Sequence, residues 1–139
     1  MRFIILPGEY SVHRFGSGFM PAVDFAAQDF FCIAKTIDEV SVVCRSGLLD
    51  RADRTEDGWN ILKIAGPLEF SLVGVLAEAS ALLAKAEVSI FAISTFDTDY
   101  LLVKRKRLGA AREALEGGGH SVEVLHSDDS LELETGGTG

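Results

Sequence analysis

The fold is decided by residues 60–103, which read NILKIAGPLEFSLVGVLAEASALLAKAEVSIFAISTFDTDYLLV. Residues 60–66 alternate around two apolar side chains and end at a Gly-Pro pair, which predicts a strand with a defined stop. Between residues 71 and 86, apolar side chains recur every three or four positions, as they do on one face of a helix, and Ser71 is a candidate N-cap. This predicted face consists of Leu72, Leu76, Ala79, Leu83 and Ala86.

A second strand and helix pattern follows directly. Residues 88–94 and 99–103 are predicted to be two strands joined by a short turn. Residues 108–115 show helical spacing, the glycines at 117–119 end that helix, and residues 120–125 alternate again. The order β-α-β-β-α-β predicts an α+β fold of the ferredoxin-like kind. In such a unit one antiparallel sheet carries both helices on one face.

The first half of the chain repeats this order less clearly. Its predicted elements are strands at 2–6, 9–15, 30–35 and 40–45, with a short apolar helix at 21–28. A second helix would have to come from a polar stretch, so we interpret this half as a degenerate copy of the ferredoxin-like unit. The strand at 2–6 can fill its missing edge position.

Changes in composition mark the domain boundaries. Residues 46–58, SGLLDRADRTEDG, are polar and charged and end in glycine, which predicts a boundary near residue 58. Residues 126–139 contain few apolar side chains, as is typical of a loose acidic tail. We therefore expect a degenerate unit over 1–58, a clear unit over 59–125 and an acidic flexible tail over 126–139.

Composition excludes several classes of protein. The 139 residues carry a formal net charge of −8, and 47% of them are hydrophobic, which is too apolar for a disordered chain. The acidic total argues against a nucleic-acid partner, because affinity for phosphates comes mainly from clustered lysine and arginine. The basic run Lys104-Arg105-Lys106-Arg107 has no aromatic stacking platform nearby, so it indicates a solvated surface.

The expected compartment is the cytoplasm. No apolar run approaches the length of a membrane span, and the apolar run at the start of MRFIILPGEY is too short for a signal peptide. Cys32 and Cys44 lie in apolar stretches without metal-site spacing, which favours buried reduced thiols over a disulfide. We expect a soluble protein without a membrane partner.

The stretches GPLEFSLVGVLAEAS (66–80) and VSIFAISTFDTDYLLV (88–103) resemble the ACT-domain family. They are most similar to the small tandem ACT-domain proteins of bacteria, which are related to aspartokinase regulatory domains and to the cytosolic arginine sensor family. LPGEYSVHRF (6–15) resembles the start of those bacterial proteins. The resemblance implies two ACT-type units, regulation by an amino acid held between such units, a homodimer, and no cofactor. With no catalytic domain in the sequence, any effect would be on a protein partner or on its own assembly.

The resemblance also implies which residues hold the ligand. The loop between the first strand and first helix of one unit faces a hairpin turn of its neighbour. In the arginine sensor family this loop carries acidic residues just before its glycine, but Ser71, Leu72 and Val73 stand there in this chain. A neutral or apolar amino acid is therefore at least as well suited as arginine. The implied site consists of Glu69, Phe70, Ser71, Leu72, Val73, Gly74, Val75, Thr95, Phe96 and Asp99.

Elementary chemistry supports such a site, although each feature has a structural alternative. A helix N-terminus binds a carboxylate, and Asp97 or Asp99 could pair with an amino group. Equally, Gly74 could serve close helix packing, the two aspartates could be turn formers, and Ser71 could be only a cap. Likewise, the apolar residues of the loop (Phe70, Leu72 and Val73) could belong to the core.

Catalytic patterns are weak in this sequence. No pair of histidines has metal spacing, and neither serine nor cysteine lies in a nucleophile motif. The sequence therefore favours a regulatory protein over an enzyme. Two alternatives stay open: an interaction module that dimerises through ACT sheets without a ligand, and a small enzyme that uses His13 with a nearby carboxylate.

Overall fold

The computed structural model describes residues 1–65 and 74–126. Within them the chain forms eight strands, two α-helices and two short 3-10 turns. None of the helices in this part of the chain is long and apolar enough to cross a membrane. The elements are β1 (Arg2–Ile5), β2 (Tyr10–Phe15), β3 (Cys32–Lys35), β4 (Val40–Arg45), β5 (Arg54–Ile64), α1 (Val75–Lys85), β6 (Ile90–Ser94), β7 (Asp99–Lys104), α2 (Leu108–Gly117) and β8 (Ser121–Val124).

The chain divides into two compact units. The helical unit joins Met1–Gly8 to the residues from Asn60 onward, and the sheet unit comprises Glu9–Trp59. The strand β5 contributes its first residues to the sheet unit and its last residues to the helical unit. This division differs from the predicted one, because residues 1–8 pair with strands of the second half and do not form an edge of the first.

The helical unit has the predicted order of elements, and its sheet has the order β6-β7-β5-β1-β8. The strand β1 pairs antiparallel with β5 and parallel with β8, so Phe3 lies between Ile64 and Val122. The α+β fold class predicted from the sequence is therefore confirmed. Because β1 lies between β5 and β8, the N-terminal segment forms part of the sheet of the helical unit.

Both helices of this unit pack on the core with the side chains that their spacing predicted. Ala79 and Leu83 of α1, like Ala111 and Leu115 of α2, are at most 1% exposed. Full burial of a leucine side chain stabilises the fold by roughly 2 kcal/mol. The buried core consists of Phe3, Ile5, Leu62, Ile64, Ala79, Leu83, Val88, Leu101, Val103, Ala111, Leu115 and Val122.

The sheet unit is an antiparallel sheet in the order β3-β4-β2-β5. Where a helix was predicted at 21–28, the structure has only the 3-10 turn Phe25–Ala27. The prediction was wrong because so short a segment cannot recover the cost of helix nucleation, and the turn buries no side chain. Asp24 accepts a hydrogen bond from the Ala26 N–H at 3.1 Å, which favours a turn.

The polar stretch 46–58 ends in a strand, although only a boundary was predicted there. β5 begins at Arg54, and its polar residues pair with β2, with Thr55 opposite His13. Polar side chains are tolerated in this strand because β2 supplies polar partners. The His13 Nδ1 lies 2.9 Å from the Thr55 hydroxyl, and the Ser11 hydroxyl donates to Asp57 at 2.5 Å.

The two cysteines are not joined in a disulfide. Cys44 is fully buried and Cys32 is half-buried. Burial raises the pKa of the Cys44 thiol to about 11 and also raises the pKa of Cys32. Both thiols therefore stay protonated near neutral pH and act as small apolar groups.

Candidate functional site

The hairpin turn between β6 and β7 is fixed to the end of β5. The Thr95 N–H donates to the Thr98 carbonyl at 2.9 Å, which closes the turn. The Thr98 side chain is buried, and its hydroxyl donates to the Ile64 carbonyl at 2.7 Å. A buried hydrogen bond of this kind makes the turn a rigid part of the sheet. The turn therefore lies where the chain leaves β5 toward residues 66–73.

Gly74 marks the start of α1 and has a backbone that other residues rarely adopt. Its φ is 88° and its ψ is 0°, and its carbonyl accepts the Glu78 N–H at 2.8 Å. A Cβ built at this glycine meets no described atom within 4 Å. Close packing against the described residues therefore does not explain the glycine here, whereas the left-handed backbone does.

The predicted ligand residues in the turn differ in exposure. Asp99 is half-buried and its Oδ1 accepts the Ser94 hydroxyl at 2.5 Å, whereas Asp97 is exposed. The Phe96 side chain is 80% exposed, which is unusual for so large an apolar group. Asp99 thus has a fixed orientation, and Phe96 offers an apolar surface beside it in the chain.

The predicted loop residues are described only in part. Val75 is half-buried and packs against the core of the helical unit. Gly74 lies at the helix start, at one end of the segment that begins after Ala65. The remaining predicted residues of this loop, Glu69, Phe70, Ser71, Leu72 and Val73, lie outside the described residues, as does the proposed N-cap role of Ser71.

Sequence reasoning missed Thr98, which positions the turn. The signal was present as a threonine flanked by Asp97 and Asp99, where turn residues cluster. Only the structure shows that its hydroxyl reaches a carbonyl 34 positions away in the chain. An exposed turn threonine and a buried anchoring threonine have the same local sequence.

His13, the residue of the enzyme alternative, is 4% exposed and lies in the sheet unit. Its Nδ1 is bound to Thr55, and the Ser11 hydroxyl is bound to Asp57 and lies 2.7 Å from the Ser46 hydroxyl. Burial lowers the pKa of His13, while the Asp57 charge partly opposes that effect. These contacts of His13 with Thr55 and of Ser11 with Asp57 join β2 to β5 inside the sheet unit.

The described part of the chain holds no group of three or more His, Cys, Asp or Glu side chains able to bind a metal ion. In the basic run, the Arg107 side chain donates a hydrogen bond to the Ala86 carbonyl at 3.0 Å. This bond links the start of α2 to the end of α1. This contact is structural.

The ACT domain family matches residues 54–117 of this chain. The human protein named cytosolic arginine sensor for mTORC1 subunit 1 is 37% identical over 59 residues, and its bovine counterpart gives the same figures. That alignment covers 42% of this chain and only 18% of the relative. The chain therefore spans about a fifth of the length of the curated relatives it matches.

Solved structures extend the similarity to nearly the whole chain. The protein Atu0741 from Agrobacterium tumefaciens superposes with a TM-score of 0.79 at 30% identity, covering 93% of this chain and 96% of that one. The aspartate kinase from Synechocystis superposes with a TM-score of 0.63 at 16% identity, covering 93% of this chain and 28% of that one. At 16% identity, the similarity to the aspartate kinase shows a shared fold.

Proposed function

Because this chain belongs to the ACT-domain family, we propose that it is a regulatory protein that binds an amino acid at the start of α1. The observation that carries the proposal is the hydrogen bond from Thr98 to Ile64, which holds the 95–99 turn beside the end of β5. Residues 66–73 connect that same end to Gly74. Gly74 and the 95–99 turn thus belong to the same helical unit.

The chemistry suits a zwitterion. The N-terminus of α1, an 11-residue helix, offers backbone N–H groups and the positive end of a dipole to a carboxylate. Asp99 accepts one hydroxyl and retains further lone pairs for an ammonium group. Phe96 would contact the apolar part of the ligand. Gly74 leaves the backbone accessible at the helix start.

A neutral or apolar amino acid is the ligand that we favour. The human relative is named an arginine sensor, and the acidic residues that its family places before the loop glycine are replaced by Ser71, Leu72 and Val73. With fewer carboxylates, a cationic side chain has less to pair with. Glu69 and Asp99 are the acidic residues that remain.

We further propose that the protein acts without catalysis, in the cytoplasm, through its assembly. A ligand held between ACT units stabilises the associated form by the difference in its affinity for the two states. A homodimer, or a complex with another protein, would then transmit the signal. The cytosolic location follows the name of the arginine-sensing relative.

A thermal-shift screen against the twenty amino acids tests this proposal. One or a few neutral amino acids should raise the melting temperature, because a ligand that binds only the native state stabilises it. Asp99→Asn keeps an acceptor for Ser94 but removes the charge, and it should reduce the ligand affinity about tenfold. Asp97→Asn is the matched control and should leave the shift unchanged. An undiminished shift in Asp99→Asn would remove that residue from the site.

The second candidate function is an interaction module without a ligand. It is favoured by the outermost strand of the sheet unit, β3, in which Ile33 is 37% exposed, and by Ile37, which is 91% exposed in the turn that follows. Exposed apolar strand edges are surfaces for pairing with another chain. A screen without stabilisers, together with a dimer that amino acids do not change, would favour this candidate.

A further inference from the structure

A cavity of about 380 Å³ lies in the helical unit at the carboxyl ends of two parallel strands, β1 and β8. Leu6 and Leu125, which follow these strands, line it, and Leu108 and Gly109 of the first turn of α2 form another side. Crevices at the carboxyl ends of parallel strands are recurrent ligand sites. The residues of the 95–99 turn are not among those that line this cavity.

The charged residues of the cavity wall are both cationic. Arg105 precedes α2 and Arg112 lies one turn into it. Arg112 donates to the Val122 carbonyl at 3.0 Å and lies 3.7 Å from Glu116, which orients the guanidinium while using only part of its five donors. The Leu108 N–H is already donated to the Arg105 carbonyl, so α2 contributes mainly its dipole. The cavity therefore favours an anion.

A buried amide in the same wall lacks a hydrogen-bond partner. Asn60 lines the cavity and is 7% exposed. Its Nδ2 donates to the Gly8 carbonyl at 3.4 Å, and its Oδ1 has no partner within residues 1–65 and 74–126. A buried unsatisfied acceptor costs about 1–3 kcal/mol. Because the terminal torsion of asparagine is soft, a small rotation can present this oxygen to a donor in the cavity.

We propose that this cavity binds a small organic anion that also carries a hydroxyl or ammonium donor. Arg105 and Arg112 would hold its carboxylate or phosphate through charge-assisted hydrogen bonds, and the α2 dipole would favour its negative charge. Asn60 would accept the hydrogen bond of the donor group. The apolar residues of the wall would shield these contacts from water. This site is distinct from the amino-acid site proposed above.

Gly109 is a separate observation that supports a binding site in this cavity. A Cβ built at this position meets no described atom within 4 Å, and the residue lies in the first turn of a helix. Alanine is favoured over glycine in a helix interior by up to about 1 kcal/mol, so packing and propensity do not explain the glycine. If a ligand approaches the backbone here, Gly109→Ala should raise the melting temperature and yet weaken binding.

An amide-resolved NMR titration of the full chain tests the proposal with defined probes. Glycerate and glycerol 3-phosphate carry both an anion and a hydroxyl, propionate lacks the donor, and glycerol lacks the anion. At least one of the first two should shift the amide signals of Asn60 and residues 108–112 at lower concentration than propionate or glycerol does. Arg105→Gln should weaken that binding about tenfold, since charge-assisted hydrogen bonds are the strong ones.

Lys106→Gln is the matched control, because it removes the same charge from an exposed neighbour that does not line the cavity. Asn60→Leu should abolish the preference for glycerate over propionate. If Asn60→Leu does not fold, Gly109→Ala replaces it as the test variant and should weaken binding. The proposal is overturned if no probe shifts the α2 signals, or if Arg105→Gln and Lys106→Gln weaken binding equally. Signals that move only at residues 95–99 would assign binding to the other site and also overturn it.

Discussion

The two units reach stability by different means. In the helical unit, α1 and α2 cover the sheet with regularly spaced apolar side chains, such as Leu83 and Leu115. In the sheet unit, a small buried cluster is covered by segments outside the strands, where Phe19 stacks on Phe15 at 3.8 Å between ring centroids. A helix satisfies its own backbone, whereas a covering loop must be fixed by side-chain contacts. The sheet unit therefore depends more on the side-chain contacts of its loops.

Core truncation should give the largest difference between the units. Leu83→Ala in α1 should lower the free energy of unfolding by about 2–5 kcal/mol, because rigid neighbours leave a cavity. Val103→Ala and Val42→Ala form a matched pair, since both valines are fully buried and lie in different units. The first should destabilise more, because loops can collapse around the second. Denaturant unfolding measures this, and equal losses would contradict the comparison.

The buried hydrogen bond of the 95–99 turn should have the next largest effect. Thr98→Val keeps the shape but leaves the Ile64 carbonyl without its hydroxyl donor, which should cost about 1–3 kcal/mol. Thr95→Val, at an exposed position of the same turn, should cost less. Denaturant unfolding of both variants is the measurement. If they lose the same amount, the anchor has no special role in the helical unit.

The sheet unit should carry a specific dependence on pH through His13. Because burial lowers the pKa of His13, the folded state binds its proton more weakly than the unfolded chain does. Its stabilising contribution is complete above the unfolded pKa of about 6.5 and is lost as pH falls through the lower folded value. His13→Gln should flatten stability between about pH 7 and pH 5, by at most about 1.4 kcal/mol per pH unit. His126→Gln, at an exposed histidine, is the control.

An exposed ion pair of the sheet unit should have the smallest effect. Arg14 and Asp53 lie 3.2 Å apart with side chains that are 42% and 59% exposed. Water screens such a pair, so Asp53→Asn should change the free energy of unfolding by less than about 1 kcal/mol. A larger loss, measured by denaturant unfolding, would mean that even surface polar contacts stabilise this unit.

The different ways in which the helical unit and the sheet unit are stabilised also explain how much of each could be predicted from the sequence. The stripe that includes Ala79 and Leu83 was sufficient to predict α1, because periodic burial leaves a periodic sequence, and short apolar runs bounded by turn residues were sufficient to predict the strands of the helical unit. In the sheet unit, the start of β5 could not be predicted from the sequence pattern. Its residues, such as Thr55, are satisfied by polar partners on β2, and no hydrophobic alternation marks them.

The candidate site was predictable to a smaller extent. The site residues, including Gly74 and Asp99, were chosen from the resemblance to the ACT-domain family, and their role stays a prediction. The anchoring role of Thr98 and the cavity beside Asn60 were not predicted, because both depend on residues distant in the chain. Long-range contacts of single polar side chains leave no local pattern.

The pairing of β1 with β8 has a consequence for the order of folding. During synthesis β1 emerges before the other described strands and β8 emerges after them, and the Arg2–Glu123 ion pair at 2.9 Å joins residues 121 positions apart. The helical unit therefore cannot close its sheet until nearly all described residues have left the ribosome, whereas the sheet unit is complete at Trp59. Such high contact order predicts that the inserted unit folds first and the surrounding one closes slowly.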